Sequence, residues 1–141
     1  MSVDAQRTFA ARMDALPQAA AFIEGFCEQQ GIAHGDALRM TLIVEELFSN
    51  TVSHGHGGDS VAPVCLTLQA GVTQLRLLYA DAAPPFDPLA RLGAAAAELE
   101  ADVAERPVGH LGIPLVVRMA SSVSYAREDG WNRLRVVLTR S

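Results

Sequence analysis

The segment MTLIVEELFSN, residues 40–50, places a carboxylate and an amide one helical turn apart. Glu46 and Asn50 are four positions apart, so they lie side by side on a helix, whereas Glu45 points away from them. Such a pair could bind a hard cation through oxygen ligands, and its carboxylate could orient or deprotonate a nucleophile beside it. Glu and Asn at the rim of an amphipathic helix are also ordinary solvated residues, and the spacing alone favours this second interpretation.

The apolar residues around this pair predict one amphipathic helix. They recur at the spacing of a single helix face, which must be buried. This face consists of Met40, Ile43, Val44, Leu47, Phe48 and Thr51. Asp36 is the expected N-cap of the helix, and the glycines that follow His54 are expected to end it. The helix therefore carries Glu46 and Asn50 at the edge of its buried stripe.

Length and composition limit the class of protein. The chain has 141 residues, a net charge of -5, and an apolar share of 50%. We expect residues 1–141 to form a single domain, with Cys27 and Cys65 as buried thiols rather than a disulfide. No apolar run reaches the ~20 residues of a membrane span, and no signal pattern opens the chain, which predicts a soluble, cytoplasmic protein without membrane contact. Because there is no basic cluster, we expect a protein or small-molecule partner and no nucleic acid.

Three helices and two hairpins are predicted around the central segment. Helices are predicted over residues 16–30, about 89–104 and 113–120, and strands over residues 7–13, 64–70, 74–81, 123–127 and 132–139. Asp14 is the expected N-cap of the first helix, and Gly31 is expected to end it. Blocks of helices and antiparallel hairpins predict an α+β fold, a two-layer sandwich with helices covering one face of a mostly antiparallel, mixed sheet.

Two further segments could bind ligands. His54, His56 and Asp59 lie close together in SHGHGGDS, but glycine-rich loops often carry histidines and a tetrahedral site needs more ligands, so a histidine metal site is not favoured. GHLG, residues 109–112, precedes a predicted helix, and backbone N–H groups at a helix N-terminus can hold a phosphate. A turn with two glycines is also a common connection between elements, so alone it is weak support for a phosphate site.

Three segments resemble, in the right order, the nucleotide-binding motifs of the GHKL ATPase superfamily, which includes gyrase, MutL and the histidine kinases. ELFSN, residues 46–50, resembles the N box, and Ser53-His54 is similar to its ending in the anti-sigma-factor serine/threonine protein kinases. DAAPPFDP and GHLGIPLV, which begin at residues 81 and 109, resemble the first and second glycine boxes of those kinases, and SSVSYAREDGWNRLRVVL resembles their closing hairpin. The resemblance covers nearly the whole chain and implies the Bergerat, or histidine-kinase-like ATPase, fold.

The resemblance implies an ATP site that uses Mg²⁺. Asn50 would bind the Mg²⁺ that bridges the phosphates, and Glu46 would be the general base for water or an incoming hydroxyl group. Asp81 would accept the adenine amino group, which suits a carboxylate because it is a pure acceptor, while the metal would neutralise charge during phosphoryl transfer. The other residues implied in nucleotide binding are Ala83, Phe86, Gly109, His110, Leu111 and Gly112. An ATP lid is implied at residues 89–108.

Two residues depart from the family pattern. Ala83 stands where those kinases have glycine, so its methyl group is expected to weaken ATP binding if the position has a positive φ or approaches adenine closely. His110 replaces a small residue beside Gly109, so the loop supplies no second adjacent glycine to wrap phosphate.

The resemblance implies a function as well as a fold. The leading hypothesis is an ATP-dependent serine/threonine protein kinase of the anti-sigma type, which phosphorylates an antagonist protein, sequesters a sigma factor and could form a homodimer. The alternative is a partner-binding module of the same fold with weak or no nucleotide binding and no kinase activity, which Ala83 and His110 favour. A third hypothesis, an α+β domain with accidental motif matches, is disfavoured by the order of the three motifs.

Overall fold

The computed structural model describes residues 3–85, 87 and 112–141. The strands are β1 (Val3–Ala10), β2 (Pro63–Ala70), β3 (Gln74–Asp81), β4 (Ser122–Glu128) and β5 (Trp131–Thr139). The α-helices are α1 (Leu16–Gln29), α2 (His34–Asn50) and α3 (Gly112–Met119). Four predicted nucleotide-binding residues, Phe86, Gly109, His110 and Leu111, lie outside the described residues, as do the helix predicted over about residues 89–104 and the implied lid.

The five strands form one sheet in the order β1-β2-β3-β5-β4, in which all neighbouring strands are antiparallel. Buried residues alternate with partly exposed ones along β2 and β5. The buried side of the sheet joins one apolar core with the buried residues of α1 and α2. The predicted α+β architecture is therefore confirmed, although the described strands pair only antiparallel and the sheet was expected to be mixed.

Helix α2 forms where its apolar periodicity predicts it. Its predicted stripe residues are buried in the core: Met40, Ile43, Val44, Leu47 and Phe48. Full burial of a side chain of this size contributes ~1.5–3 kcal/mol to the stability of the fold. Within the described ranges, no helix combines the length and the apolar character needed to cross a membrane.

Asp14 does not cap α1. The N-cap position is Ala15, and Asp14 lies in the short 3₁₀ turn before it. Its carboxylate pairs with the guanidinium of Arg12 at 3.1 Å. The prediction was wrong because the 3₁₀ turn Met13–Ala15 leads directly into α1 and leaves Ala15, not Asp14, at the N-cap position.

Asp36 does not cap α2 either, since it lies in the first turn and the N-cap is Ala33. Its carboxylate is only 1% exposed and accepts hydrogen bonds from Arg39 and from the backbone N–H and hydroxyl of Ser141, the last two at 2.8 Å. Burial raises the pKa of Asp36, but the hydrogen bonds from Ser141 and Arg39 outweigh burial and leave the pKa below its ordinary value. The predicted cap was wrong because this carboxylate is bound by a residue 105 positions away.

Helix α2 changes at its end from an α-helix to a π-helical turn. The α-helix ends at Asn50, and Thr51–Gly55 continue as a π-helical turn closed by a 2.9 Å hydrogen bond from the His56 N–H to the Thr51 carbonyl. The predicted end near His54 therefore falls inside this turn. Single π-helical turns occur frequently at functional sites. Gly31, at φ +65°, follows the C-cap of α1 as predicted.

The β4–β5 hairpin closes through a two-residue loop. Asp129 and Gly130 have φ values of 52° and 84°, which is the conformation of a type I′ turn and explains the Asp-Gly sequence. The loop sets the register in which Arg127 pairs with Asn132. This pairing brings both residues to the end of the sheet where β3 finishes at Asp81.

The two cysteines differ in environment. Cys27 is buried as predicted, and burial, together with the charge of Asp36, raises the pKa of its thiol to about 11, against a lowering effect of Arg140. Cys65 is only half-buried, because it alternates with the buried Val64 along β2 and faces the other side of the sheet. The prediction of a buried thiol was therefore wrong for Cys65.

Candidate functional site

Asp81 is a buried carboxylate at the end of β3. It is 5% exposed, and three groups of the described residues donate hydrogen bonds to it. Oδ1 accepts from the Ala83 N–H at 3.1 Å and from the Asn132 side-chain amide at 2.9 Å, and Oδ2 accepts from the Thr51 hydroxyl at 2.9 Å. A carboxylate offers about four lone-pair sites. One acceptor site on Oδ2 therefore remains for a ligand.

Thr51 was predicted to belong to the apolar stripe, but its hydroxyl group forms the link between α2 and Asp81. The Thr51 oxygen also lies 2.5 Å from the hydroxyl oxygen of Tyr79, which in turn lies 3.1 Å from the Leu47 carbonyl. Burial raises the pKa of Tyr79 well above its ordinary value; the hydrogen bond with Thr51 lowers it, and the charge of Asp81 raises it. Tyr79 therefore keeps its proton and can donate it to Thr51, whose own hydrogen is then directed to Asp81.

Asn132 is a site residue that the sequence analysis missed. It is 4% exposed and pairs with Asp81 across β3 and β5. Besides binding Asp81, its amide nitrogen donates to the carbonyls of Ala83 and Pro84 at 3.3 and 3.1 Å. The available signal was a polar residue at an inward position, two residues before the buried Leu134 of the same strand. That signal becomes specific only when the register with β3 is known.

Glu46 and Asn50 lie one turn apart near the end of α2, and both are partly exposed. Asn50 lines a cavity of about 20 Å³ together with Thr51, Asp81 and Asn132. This volume holds about one water molecule. Glu46 is not part of the cavity lining. The structure thus brings Asn50 and Asp81 to one cavity and leaves Glu46 beside Asn50 on the helix.

Ala83 does not have the strained backbone that the comparison with glycine suggested. Among the described non-glycine residues, a positive φ occurs at Asp129 and not at Ala83. Ala83 is 1% exposed, its N–H binds Asp81, and its Cβ lies 3.1 Å from the place where a Cβ on Gly55 would stand. The condition of a positive φ is therefore not met at Ala83, and its methyl group lies beside the space that the glycine at position 55 leaves open.

The oxygen donors near Asn50 suit Mg²⁺ better than a softer metal. Mg²⁺ is usually held by one or two side-chain oxygens together with substrate phosphates and waters, and Asn50 and Glu46 offer such oxygens on adjacent turns. Across the described ranges, no group of three or more His, Cys, Asp or Glu residues could hold a metal by itself. In the loop that contains the histidines, Asp59 accepts a 2.9 Å hydrogen bond from the Met13 N–H.

Comparison with known families identifies the class of domain. Residues 9–138 match the family model described as a histidine kinase-like ATPase domain. The chain belongs to this family. Asn50 and Asp81, which meet at one cavity, come from two of the three segments that resemble the nucleotide-binding motifs of the superfamily.

The chain is also similar to individual proteins of known sequence or structure. The chain is 34% identical over 95 residues to Serine/threonine-protein kinase BtrW of Bordetella bronchiseptica, and the match spans 67% of this chain and 65% of that relative. Its fold is similar to the structure of the RsbU and RsbW domains of Rv1364c from Mycobacterium tuberculosis, with a TM-score of 0.67, 15% identity, and coverage of 98% of this chain and 32% of that chain. It is also similar to the SiaB–SiaC complex from Pseudomonas aeruginosa, with a TM-score of 0.68, 10% identity, and coverage of 95% and 88%. At these identities the two solved structures establish the fold alone.

Proposed function

We propose that this chain is an ATP-binding serine/threonine protein kinase of the anti-sigma-factor type, which phosphorylates an antagonist protein and sequesters a sigma factor. The observation that carries the proposal is the shared cavity of Asn50 and Asp81, with one acceptor site on Asp81 left for a ligand. The family membership and the relative named as a serine/threonine-protein kinase support the class of reaction. The proposal puts the chain in the cytoplasm, where ATP and sigma factors occur.

In this proposal Asp81 recognises the base of ATP. Its carboxylate lies at the end of β3 with Oδ2 hydrogen-bonded only to Thr51 among the described residues. The remaining lone pair accepts from the exocyclic amino group of adenine, which is a donor. Because Asp81 is buried, a hydrogen bond from the ligand forms in a medium of low dielectric constant and gains strength there.

The reaction itself is assigned to α2. Asn50 would hold Mg²⁺ through its amide oxygen, and the metal would supply the positive charge that neutralises the transferred phosphoryl group. Glu46, one turn earlier, takes the proton of the incoming serine or threonine hydroxyl. Its partly exposed side chain is accessible to a protein substrate from solvent.

The proposed protein partners follow from the relatives. The relative from Pseudomonas aeruginosa was solved as a SiaB–SiaC complex, and the mycobacterial one joins RsbU and RsbW domains in one chain. A protein partner in the role of antagonist is therefore proposed for this chain too. The net charge of -5 does not favour direct contact with nucleic acid.

A partner-binding module without phosphoryl transfer is the second candidate. The observation that favours it is the number of hydrogen bonds that Asp81 already accepts within the protein, three among the described residues. Each of these bonds reduces the capacity of the carboxylate to bind a nucleotide. In this alternative the fold serves only to capture a protein.

Labelling with ATP separates the two candidates. The protein is incubated with Mg²⁺, γ-labelled ATP and soluble proteins from its source cell, beside the Glu46→Gln variant. Label on a serine or threonine that is absent with the variant supports the kinase. The absence of label, whether ATP binds weakly or not at all, supports the binding module. A protein that neither binds ATP nor transfers label contradicts the kinase assignment.

A further inference from the structure

A guanidinium group from β4 reaches the turn that follows Asp81. Nη1 of Arg127 donates to the Ala83 carbonyl at 2.8 Å and to the side-chain oxygen of Asn132 at 3.2 Å. Arg127 and Asn132 are direct partners in the β4–β5 register, so the contact is fixed by the hairpin. Arg127 forms no ion pair within the described part of the chain. Its guanidinium group therefore binds a carbonyl oxygen and an amide oxygen rather than a carboxylate.

Arg127 also determines which way the Asn132 amide faces. Arginine can only donate hydrogen bonds, so the atom of Asn132 that faces Arg127 must be the oxygen. The same oxygen accepts from the Tyr125 hydroxyl at 2.6 Å. The nitrogen then faces groups that only accept, namely the Asp81 carboxylate and the carbonyls of Ala83 and Pro84. A flipped amide would place N–H₂ against the guanidinium and oxygen against a carboxylate.

The two residues whose oxygens accept from Arg127 are the two that donate to Oδ1 of Asp81. The Asn132 nitrogen and the Ala83 N–H both donate to that oxygen, at 2.9 and 3.1 Å. With Oδ1 fixed in this way and Oδ2 bound to Thr51, the carboxylate has one orientation and one remaining lone pair. Arg127 does not touch Asp81 and acts on it through these two neighbours.

We propose that Arg127 is a positioning residue for base recognition, which fixes Asp81 through Ala83 and Asn132 so that Oδ2 can accept a hydrogen bond from a 6-aminopurine nucleotide. This inference rests on the proposed function, because it assumes that Asp81 meets the base. It adds that the preference for the amino group depends on a residue of another strand that does not contact the ligand.

The test compares two nucleotides that differ only in the amino group. Binding of ATP and of purine riboside triphosphate, which lacks the 6-amino group, is measured with Mg²⁺ by calorimetry. The native protein prefers ATP. In Arg127→Met the preference falls on the order of tenfold, the worth of about one charge-assisted hydrogen bond, while purine riboside triphosphate binds as before.

Arg135→Met is the matched control. Arg135 lies in the same hairpin and is exposed, and its side chain forms no hydrogen bond or ion pair in the described part of the chain. This variant should keep the native preference. Arg127→Lys should recover part of the preference lost in Arg127→Met, because an ammonium group also donates to the Ala83 carbonyl but cannot reproduce the guanidinium geometry.

The outcomes separate this inference from the proposed function. If Arg127→Met lowers the affinity for both nucleotides equally, or lowers neither, the positioning role is overturned and the proposed ATP-binding function stands. A native protein that binds neither nucleotide overturns both. If Arg127→Met does not fold, Arg127→Lys and Tyr125→Phe carry the test, since each removes part of the support of Asn132. An unchanged preference in both of these variants contradicts the inference.

Discussion

The Thr51 hydroxyl lies 2.9 Å from Oδ2 of Asp81 and thereby joins the end of α2 to the end of β3. The same oxygen is 2.5 Å from the Tyr79 hydroxyl, so two buried polar groups, on Asp81 and Tyr79, depend on this one side chain. Buried polar groups that lose a partner destabilise a protein by more than a hydrogen bond contributes on average. Thr51 is therefore a structural link as well as a neighbour of the proposed base site.

Replacing Thr51 by valine should lower the free energy of unfolding by about 1–3 kcal/mol, because Tyr79 and Asp81 each lose a buried partner. Urea denaturation measures the loss. Thr73→Val is the control, since Thr73 is exposed and its side chain forms no hydrogen bond among the described residues. Equal stability of the two variants would mean that the contact between Thr51 and Asp81 contributes nothing.

Periodicity predicts those parts of this fold in which burial repeats along the chain. The stripe of α2 and both hairpins formed as expected, because each is specified by residues two to four positions apart. Asp36 and Asn132 were not predicted correctly, because their partners Ser141 and Asp81 lie far away in the sequence. In the sequence, Asp36 looks like a helix cap and Asn132 looks like an ordinary strand residue. Only their tertiary contacts show what each one binds.

The proposed general base can be tested without disturbing the nucleotide. Glu46→Gln should keep the affinity for ATP within a few fold and abolish phosphoryl transfer, because an amide preserves the shape of the side chain and cannot accept the proton. Glu45→Gln, one position earlier and half-buried, is the control and should keep its activity. Turnover in Glu46→Gln at the native rate would remove Glu46 from the mechanism.

The Ala83→Gly variant tests whether the Ala83 methyl group stabilises the fold or weakens ATP binding. Because Ala83 has no positive φ, glycine relieves no strain, and the variant loses a buried methyl group and gains entropy when unfolded. The free energy of unfolding should fall by about 1–2 kcal/mol in urea denaturation. ATP affinity should stay within a few fold of the native value. Ala82→Gly is the control for the entropy that the unfolded chain gains with glycine, since Ala82 is only half-buried. A severalfold gain in ATP affinity in Ala83→Gly would instead show that the Ala83 methyl group crowds the base.

The lowered pKa of Asp36 predicts how stability depends on pH. Burial opposes ionisation of Asp36, but Ser141 and Arg39 favour it more strongly. A carboxyl group with a lowered pKa in the folded state stabilises the protein above its ordinary pKa, and this contribution is lost as the pH falls through the folded-state pKa. The stability difference between the native protein and Asp36→Asn should therefore shrink on acidification below about pH 4.

Urea denaturation at several pH values measures this difference. Asp14→Asn is the control, since Asp14 is exposed and pairs only with the neighbouring Arg12 in the described structure. A constant difference between the native protein and Asp36→Asn over the whole range would show that the contact with Ser141 does not depend on ionised Asp36.

Calorimetric titration with a non-hydrolysable ATP analogue, with and without Mg²⁺, tests whether Asn50 and Asp81 form one Mg²⁺-dependent nucleotide site. The native protein should bind the analogue with Mg²⁺, and Asn50→Ala should lose this Mg²⁺-dependent binding. The variant should remain folded, with a stability loss below ~3 kcal/mol, because Asn50 lies at the rim of the core. Ser49→Ala, beside it on α2, should bind like the native protein. Native binding that is the same with and without Mg²⁺, or an Asn50→Ala variant that binds like the native protein, would show that Asn50 does not hold Mg²⁺ for a nucleotide at this site.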